Sequence, residues 1–468
     1  MRQFDYLSMF VQLLIVLNQP RSEKKDDELH VPFVAERLLL YMLRDTPGQY
    51  GHISATQATV TEAINRCWSA TNAVFFKEGM PIETPSLFIR SAYIGQVSHQ
   101  IGAHPSKFSR QMLLAETLEP NSKLAIYLST RARLPLDTFL DLAAITLPHF
   151  DNDKPWLTAD YLKTLADNFG QATVSSFFDA FSFRLPDIPT DLRNTVGSIS
   201  ADEWFQPTPL YRTPCVWLGG AIVPFGRPSI RRYLETFVAD AVDQCSDPQV
   251  RQAWEKKIQR YVFETAAQLE SLDAEVLDED RMRCRFALGT GLCCDVAIIF
   301  PKAIVCIEVK TKNLSSNLPA AATARELKSK LKATVLHADE QLLNVITALQ
   351  EHPQLKALPV YSLIVTSTEL FLGPADALVS SQWAARGLAK PLVVNVDDLD
   401  WLIEGHRIGK FQIASALHDF HSRIAINPFA LFSLSQLRSE ENYAVATPKH
   451  LCGLVEKRIT RIIARANT

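Results

Sequence analysis

Two short aliphatic runs, "DVAIIF" and "AIVCIEV", constrain the fold of this chain more than any other feature. Both are rich in β-branched residues, and the Pro301-Lys302 pair between them has the composition of a turn, so the stretch predicts a buried β-hairpin. A turn centred on that pair places Asp295 directly across from Glu308. Like charges at directly opposed positions destabilise a strand pair. The hairpin therefore needs something that stabilises two carboxylates on one face.

The carboxylate pair predicts a site for a cation. Two carboxylates this close usually require a cation between them or a raised pKa on one of them, and oxygen ligands suit Mg²⁺ or Mn²⁺. Lys310 lies two residues after Glu308 and so points to the same side of the strand. A carboxylate pair beside an ammonium group is suited to handling phosphate. The alternative is a salt bridge at the sheet edge, and a register shift of one residue would turn Asp295 to the other face.

The rest of the chain divides into segments of different pattern. With 468 residues, two or three domains are expected, and a composition of 47% hydrophobic and 21% charged residues is typical of globular proteins. The segments predict an α+β protein, in which an all-α N-terminal domain precedes an α/β domain whose sheet is flanked by helices. They are a helical recognition or regulatory domain at 1–200, a connector with a small hairpin and a helix at 201–249, the α/β domain at 250–435, and an amphipathic basic helix at 436–468.

Composition argues against several classes of protein. The stretch "MFVQLLIVL" is far shorter than the roughly 20 apolar residues of a membrane span, and no basic leader or cleavage site accompanies it. The eight cysteines show no CxxC pair and no zinc-like spacing with histidine. We therefore expect a cytoplasmic, soluble protein with reduced thiols and no membrane partner. The formal charge of −3 gives no global sign of nucleic-acid binding, so any such signal has to be local.

The motif in the C-terminal half resembles a known family. Asp295, followed after twelve residues by "IEVK" with Glu308 and Lys310, resembles the PD-(D/E)XK nuclease superfamily. The resemblance covers about residues 250–400, and Cys294 stands where many members have proline. It implies a restriction-endonuclease-like domain with a mixed central sheet. It also implies that Asp295, Glu308 and the main-chain carbonyl of Val309 bind Mg²⁺, with Mn²⁺ as a substitute, and that Lys310 orients or helps deprotonate a water molecule.

The same resemblance implies two further catalytic residues. A preceding helix in that family often offers a glutamate, which favours Glu264, although a helical wheel leaves Glu264 and Glu270 equally placed on the two flanks of the apolar stripe. Some branches carry a glutamine on the helix after the Glu-x-Lys strand, which indicates Gln341. Val345 occupies the position of the tyrosine that follows this glutamine in those branches.

Local charge supports a polyanionic substrate. Seven cations against two anions give the stretch from Lys302 to Lys332 a net charge of +5 within an acidic protein. Basic groups beside a carboxylate site fit a substrate held through its phosphates. The expected nucleic-acid-binding residues here are Lys312, Arg325, Lys328 and Lys332. A solvated lysine-rich helix face is the alternative for each one.

The N-terminal half contains a second candidate for DNA contact. The spacing in 93–113 resembles a helix-turn-helix, with Gly102 at the turn and Phe108 and Met112 packed inward. Lys107 and Arg110 would then meet DNA phosphates or base edges. Gln111 stands where such motifs usually bury an aliphatic residue, and helical corners with glycine are common, so an ordinary helical corner is the alternative.

Together these features predict a Mg²⁺-dependent nuclease that hydrolyses DNA phosphodiester bonds, in genome defence or DNA processing. Two alternatives stay open: an inactive nuclease-like module that binds nucleic acid or a protein partner, and an RNA-cleaving toxin or effector. A protein partner or a homo-oligomer is compatible with each of these. For the basic C-terminal helix, docking onto the protein body or a partner subunit is favoured over DNA contact.

Overall fold

The structure is a computed structural model that describes residues 1–19, 32–45, 47–77, 105–150, 155–193, 208–272, 274–286, 293–311, 323–370, 372, 382–426 and 434–466. The chain divides into two compact units. The first comprises Met1–Pro81, Ser91–Val238 and Gly453–Thr468, and the second comprises Ile82–Arg90 and Ala239–Cys452. The described part is α+β, because helices predominate and each unit contains one small mixed sheet.

The first unit is built mainly from helices, many of which start at side-chain caps. Asp5, Ser122 and Thr158 each accept a hydrogen bond from a main-chain N–H of the first turn of the helix that follows. The helices are α1 (Tyr6–Asn18), α2 (Pro32–Arg44), α3 (Gln57–Lys77), α4 (Pro105–Glu116), α5 (Lys123–Ala132), α6 (Leu136–Phe150), α7 (Ala159–Phe169), α8 (Gln171–Asp179), α9 (Thr190–Arg193) and α10 (Arg227–Asp243).

A three-stranded sheet modifies the all-α expectation for the N-terminal half. Strand β1 (Ser182–Arg184) pairs in parallel with β2 (Cys215–Leu218), which pairs antiparallel with β3 (Ala221–Pro224). The predicted small hairpin is β2 and β3, and its turn consists of Gly219 and Gly220, both at positive φ. The short β1 escapes sequence analysis because its three residues are too few for a periodic pattern.

The second unit alternates helices and strands, as its sequence predicts. In chain order they are α11 (Pro248–Ala267), β4 (Glu275–Asp278), α12 (Glu279–Phe286), β5 (Val296–Phe300), β6 (Ala303–Lys310), α13 (Ala324–Leu331), α14 (His337–Glu351), β7 (Val360–Thr366), α15 (Gln382–Ala385), β8 (Leu392–Asn395), α16 (Val396–Arg407), α17 (Ile413–Ile426) and α18 (Leu434–Leu437). A π-helical turn, Lys332–Leu336, lies between α13 and α14.

The five strands of this unit form one mixed sheet in the order β4-β5-β6-β7-β8. The pairs β4 with β5 and β5 with β6 are antiparallel, whereas β6, β7 and β8 run parallel. All seven residues of β7 are buried, as expected for a strand inside a sheet that is covered on both faces.

Helices cover both faces of this sheet. Side chains of α13 and α14 form one apolar cluster with Ala297, Ile304 and Cys306, which alternate along β5 and β6 and therefore share a face. Helices α11 and α16 also contact the sheet, but none of their residues belongs to that cluster. We place them over the opposite face. Glu308 and Lys310 follow Cys306 at two-residue intervals along β6. They therefore lie on the same face of the sheet as Ala297 and Cys306.

The C-terminal helix α19 (Leu454–Ala466) belongs to the first unit, where it packs against α4 and α6. Arg458 lies at the centre of this contact and is 2% exposed. Its guanidinium donates to Asp141 at 2.5 Å, to Asp137 at 2.9 Å and to Glu116 at 3.1 Å. Since the buried cation of this helix is bound to protein carboxylates, the structure agrees with docking rather than with DNA contact.

None of the described helices is long and apolar enough to cross a membrane.

Candidate active site

The hairpin formed by β5 and β6 has the predicted register. Val296 pairs with Ile307, Ala297 with Cys306, and Phe300 with Ala303 around the turn at 301–302. One step beyond Val296, this register sets Asp295 opposite Glu308. The two-residue turn fixes the pairing, and Asp295, which stands just before the first residue of β5, is reached by Gln259 of α11 while its charge also acts on Glu308. The predicted register is confirmed, and the charge of Asp295 lies near enough to raise the pKa of Glu308.

Glu308 is the most deeply buried charged group of the hairpin, with 2% of its surface exposed. Its Oε1 accepts a hydrogen bond from Lys310 Nζ at 2.6 Å. Its Oε2 has no hydrogen-bond partner, although the atom is buried. A buried acceptor without a donor costs about 1–3 kcal/mol or more when it is charged. The arrangement therefore leaves one carboxylate oxygen ready for a further ligand.

Asp295 is held by donors from two different elements. Its Oδ2 accepts the main-chain N–H of Val309 in β6 at 2.7 Å, and its Oδ1 accepts the side-chain amide of Gln259 in α11 at 2.9 Å. Each oxygen keeps a further lone pair. The carboxylate is thus oriented by the protein while it keeps the capacity to bind a cation.

Burial makes ionisation of this pair unfavourable. It raises the pKa of Asp295, and the negative charges of Glu279 and Glu255 raise it further, while the N–H of Val309 and the charge of Lys310 act in the opposite direction. Burial also raises the pKa of Glu308, to which the neighbouring Asp295 charge adds, while Lys310 and the main-chain N–H of Asp295 act in the opposite direction. Without a cation besides Lys310, the pair therefore retains a proton at a pH where ordinary carboxyl groups have lost theirs.

Lys310 and Gln341 form the other half of the site. Gln341 in α14 accepts a hydrogen bond from Lys310 Nζ at 3.0 Å through Oε1, and donates to the Cys293 carbonyl at 3.2 Å through Nε2. The ammonium group thus lies between Glu308 and Gln341. The structure brings Gln341 to the position that the sequence predicts, while Val345, at the tyrosine position, is buried.

The expectation for Glu264 is not met. Its side chain is 58% exposed and pairs with Arg260, one turn earlier on the same exposed surface, at 2.7 Å. Gln259, which does contact Asp295, lies five residues away, or about 140° around the helix. Glu270 does not replace it, because its exposed carboxylate lies 3.7 Å from Arg281. Neither glutamate of the helical wheel joins the carboxylate pair.

The sequence pattern does not single out Gln259, which the structure brings into contact with Asp295. The face of α11 that turns towards Asp295 carries Gln259 and, one turn earlier, the half-buried Glu255. A signal was present, because Gln259 follows the buried Ile258 and lies three residues before the buried Val262. A polar residue so close to an apolar stripe often has a specific partner.

The expected nucleic-acid contacts near the site lie mostly on α13. Arg325 and Lys328 of α13 and Lys332, the first residue of the π-helical turn that follows it, are exposed and have the i, i+3, i+7 spacing of one helix face. The opposite side of the helix buries Leu327 and Leu331 in the core of the second unit. We call these three cations the α13 stripe. Lys312 lies outside the described residues.

The predicted helix-turn-helix is described only from residue 105 onward, where α4 begins; residues 93–104 lie outside the described part. Phe108 and Met112 are buried, as predicted. The expectation for Arg110 is wrong, because its side chain is only 7% exposed and so offers no surface to DNA. Gln111 is buried as well, where its amide bonds the Leu234 carbonyl and the Val238 N–H of α10. Lys107 keeps partial exposure.

A divalent ion needs more oxygen ligands than the two carboxylates of Asp295 and Glu308. Within the described residues, no three His, Cys, Asp or Glu side chains gather into a metal-binding group. The pair Asp295 and Glu308 therefore needs a third ligand of another kind, which the resemblance supplies as the Val309 carbonyl. The unpartnered Oε2 of Glu308 fits a bound cation, since hard oxygen ligands suit Mg²⁺.

Comparison of the chain with protein-family models, curated proteins and solved structures finds no match. What the site can do has to be argued from its own residues.

Proposed function

We propose that the chain is a Mg²⁺-dependent nuclease that hydrolyses phosphodiester bonds in DNA through the site at Asp295, Glu308 and Lys310. The observation that carries the proposal is the Oε2 atom of Glu308, a buried carboxylate oxygen without a hydrogen-bond partner, in a carboxyl group whose pKa the nearby Asp295 charge raises. A protein gains nothing in stability from such an arrangement. A bound cation would satisfy both carboxylates at once.

Asp295 and Glu308, with the Val309 carbonyl, would hold the ion. When bound, Mg²⁺ would supply positive charge to the scissile phosphate and lower the pKa of a water molecule. Lys310 is 13% exposed at its side chain and bonded to Glu308 and Gln341, so its ammonium group has a defined position beside the carboxylates. It would orient the attacking water and stabilise the negative charge that develops on the phosphate.

The fold and the α13 stripe support this proposal. A mixed sheet with helices on both faces is what the resemblance to restriction-endonuclease-like domains leads one to expect, and the carboxylates lie on its central hairpin. Arg325 and Lys328 of α13 and Lys332 directly after it have the spacing of one exposed helix face, and α13 is the next described helix after Lys310 in the chain. Such a line of cations fits phosphates of a nucleic-acid backbone, which are bound without regard to base sequence.

The test is cleavage of supercoiled plasmid and linear duplex DNA by the purified full chain, with Mg²⁺, with Mn²⁺ and with EDTA. We expect cleavage with either ion and none with EDTA. Asp295→Asn and Lys310→Met should each lower the rate by roughly a hundredfold or more. Lys302→Met, in the exposed turn of the same hairpin, is the matched control and should cleave like the unaltered protein.

Two results would contradict the proposal. One is the absence of cleavage with every divalent ion, on both DNA forms; the other is a rate that Asp295→Asn and Lys310→Met leave unchanged. The carboxylates and Lys310 would act on the phosphate and not on the sugar, so the site alone does not distinguish DNA from RNA. Parallel reactions with single-stranded and duplex RNA decide between the two substrates.

A further inference from the structure

The side-chain amide of Gln259 donates a hydrogen bond to one oxygen of Asp295. The orientation of that carboxylate depends on this contact. The Val309 N–H fixes Oδ2 at 2.7 Å, and a single hydrogen bond leaves the carboxylate free to rotate about its Cβ–Cγ bond. The amide of Gln259 fixes Oδ1 at 2.9 Å. Two fixed oxygens define the plane of the group. Helix α11 therefore determines how Asp295 faces Glu308 before any ion binds.

The chemistry of the amide suits this task. An ionised carboxylate only accepts hydrogen bonds, so the donating nitrogen of Gln259 must face Oδ1. Because the amide is neutral, it adds no positive charge next to the carboxylate and does not repel a cation. A lysine or arginine at this position would form a salt bridge to Asp295 and compete with the ion. Glu308, in contrast, already has the cationic partner Lys310.

We propose that Gln259 is a positioning residue of the metal site, which acts through Asp295 and sets the affinity for the divalent ion. This inference rests on the proposed function. Hydrogen-bond partners of metal ligands typically change metal affinity about 10- to 100-fold when they are removed. The effect of losing the Gln259 amide should therefore appear in the binding of the ion itself, before any substrate is present.

The experiment is calorimetric titration of the full chain with Mn²⁺ at pH 8. Gln259→Met keeps the length of the side chain and removes the donor, and we expect its Kd for Mn²⁺ to rise about 10- to 100-fold. Gln252→Met is the matched control, because Gln252 is exposed on the same helix, and its Kd should stay unchanged. Gln259→His restores a neutral donor, so its Kd should lie closer to that of the unaltered protein than to that of Gln259→Met.

Circular dichroism establishes that each variant is folded, and Gln259→Ala takes the place of Gln259→Met if the latter is not. A Kd for Mn²⁺ that is the same in folded Gln259→Met and the unaltered protein would overturn the positioning role. So would a histidine variant that binds no better than the methionine variant, because a merely structural effect of the position would give that result.

The same titration separates this inference from the proposed function. If Mn²⁺ binds and Asp295→Asn abolishes binding while Gln259→Met does not, only the role of Gln259 is refuted. If the unaltered protein does not bind Mn²⁺, the metal site and the role of Gln259 are both refuted.

Discussion

Asp295 and Glu308 illustrate how a folded protein can hold charge where it is costly. Water would stabilise each carboxylate, but burial removes most of it, and Lys310 offsets only part of the loss. Residues in such an environment carry raised pKa values, and groups of this kind cluster at functional sites. The resulting loss of folding stability can be measured by varying pH in the absence of a divalent ion.

We expect the free energy of unfolding of the metal-free protein to fall as pH rises above about 5. A carboxyl group whose pKa is raised by folding binds protons more tightly in the folded state, so stability is lost as pH passes from its unfolded to its folded pKa. One pKa unit corresponds to about 1.4 kcal/mol, so a net shift of about one to two units for this pair would give a loss of roughly 1–3 kcal/mol. Urea unfolding in EDTA across pH 5–9 measures it.

Asp295→Asn should flatten this pH dependence, because it removes one of the two like charges. Burial raises the pKa of Asp398 as well, and the contribution of Asp398 to the pH dependence remains in the variant. The comparison therefore isolates the contribution of Asp295 and Glu308. Mn²⁺ should restore more stability at high pH than at low pH, since the ion displaces protons from its ligands. A slope that is equal in the two proteins would contradict this account of the pair.

Gln341 should affect the reaction differently from Gln259. It bonds Lys310 and the Cys293 carbonyl and neither carboxylate, so Gln341→Met should lower the cleavage rate about tenfold and leave the Kd for Mn²⁺ unchanged. Gln350→Met, on the exposed side of the same helix, is the control for both measurements. Weaker Mn²⁺ binding in Gln341→Met would show that the glutamine supports the metal site and not only Lys310.

At the level of elements, strands were easier to predict than helices. The hairpin register follows from one two-residue turn, and strand alternation then decides the side of every residue, so Glu308 and Lys310 could be placed from sequence. Which face of α11 turns towards the site depends on packing against the sheet and α16. That packing involves residues far away in the chain, so the sequence favours Glu264 whereas the structure has Gln259 beside Asp295.

The α13 stripe makes a prediction about salt dependence. Each phosphate contact contributes about 0.9 to the slope of log K against log salt concentration. Replacing Arg325, Lys328 and Lys332 together by serine should therefore lower the magnitude of this slope by about 3 for duplex DNA, if each meets one phosphate. Fluorescence anisotropy with labelled DNA, in Ca²⁺ to prevent cleavage, measures the slope.

A triple variant with the same change in net charge is the control for the stripe. Lys163, Lys356 and Lys410 are exposed at separate places along the chain, and their replacement by serine should alter the slope much less. Equal slopes for the two triple variants would mean that DNA responds only to net charge and that α13 is not a binding surface.

For the molecule as a whole, the sequence predicted the two kinds of architecture but not how the chain is shared between them. The predicted boundary near residue 200 falls at Val238 in the structure, inside α10, and residues 453–468 belong to the first unit. Local patterns carry no information about such an arrangement. The contact of Arg458 with Glu116 joins residues more than 300 positions apart.

Arg458→Met should destabilise the first unit and leave the second unchanged. Removing the buried guanidinium takes away its hydrogen bonds to Asp141, Asp137 and Glu116 and leaves the half-buried Asp141 with only the exposed Arg465 nearby among the described residues, so we expect a loss of about 1–3 kcal/mol. Arg461→Met, on the exposed side of α19, is the control. Hydrogen exchange followed by mass spectrometry reports on the two units separately; equal protection of α4 and α6 in both variants would contradict the role assigned to Arg458.

The interrupted course of the first unit has a consequence for synthesis on the ribosome. Residues 239–452 are synthesised before α19, so the chain of the second unit is complete while the first unit still lacks its last helix. During that interval Glu116, Asp137 and Asp141 have no guanidinium to bind. A chain truncated after residue 452 would carry every residue of the second unit and a first unit without its last helix, although the first unit begins earlier in the chain.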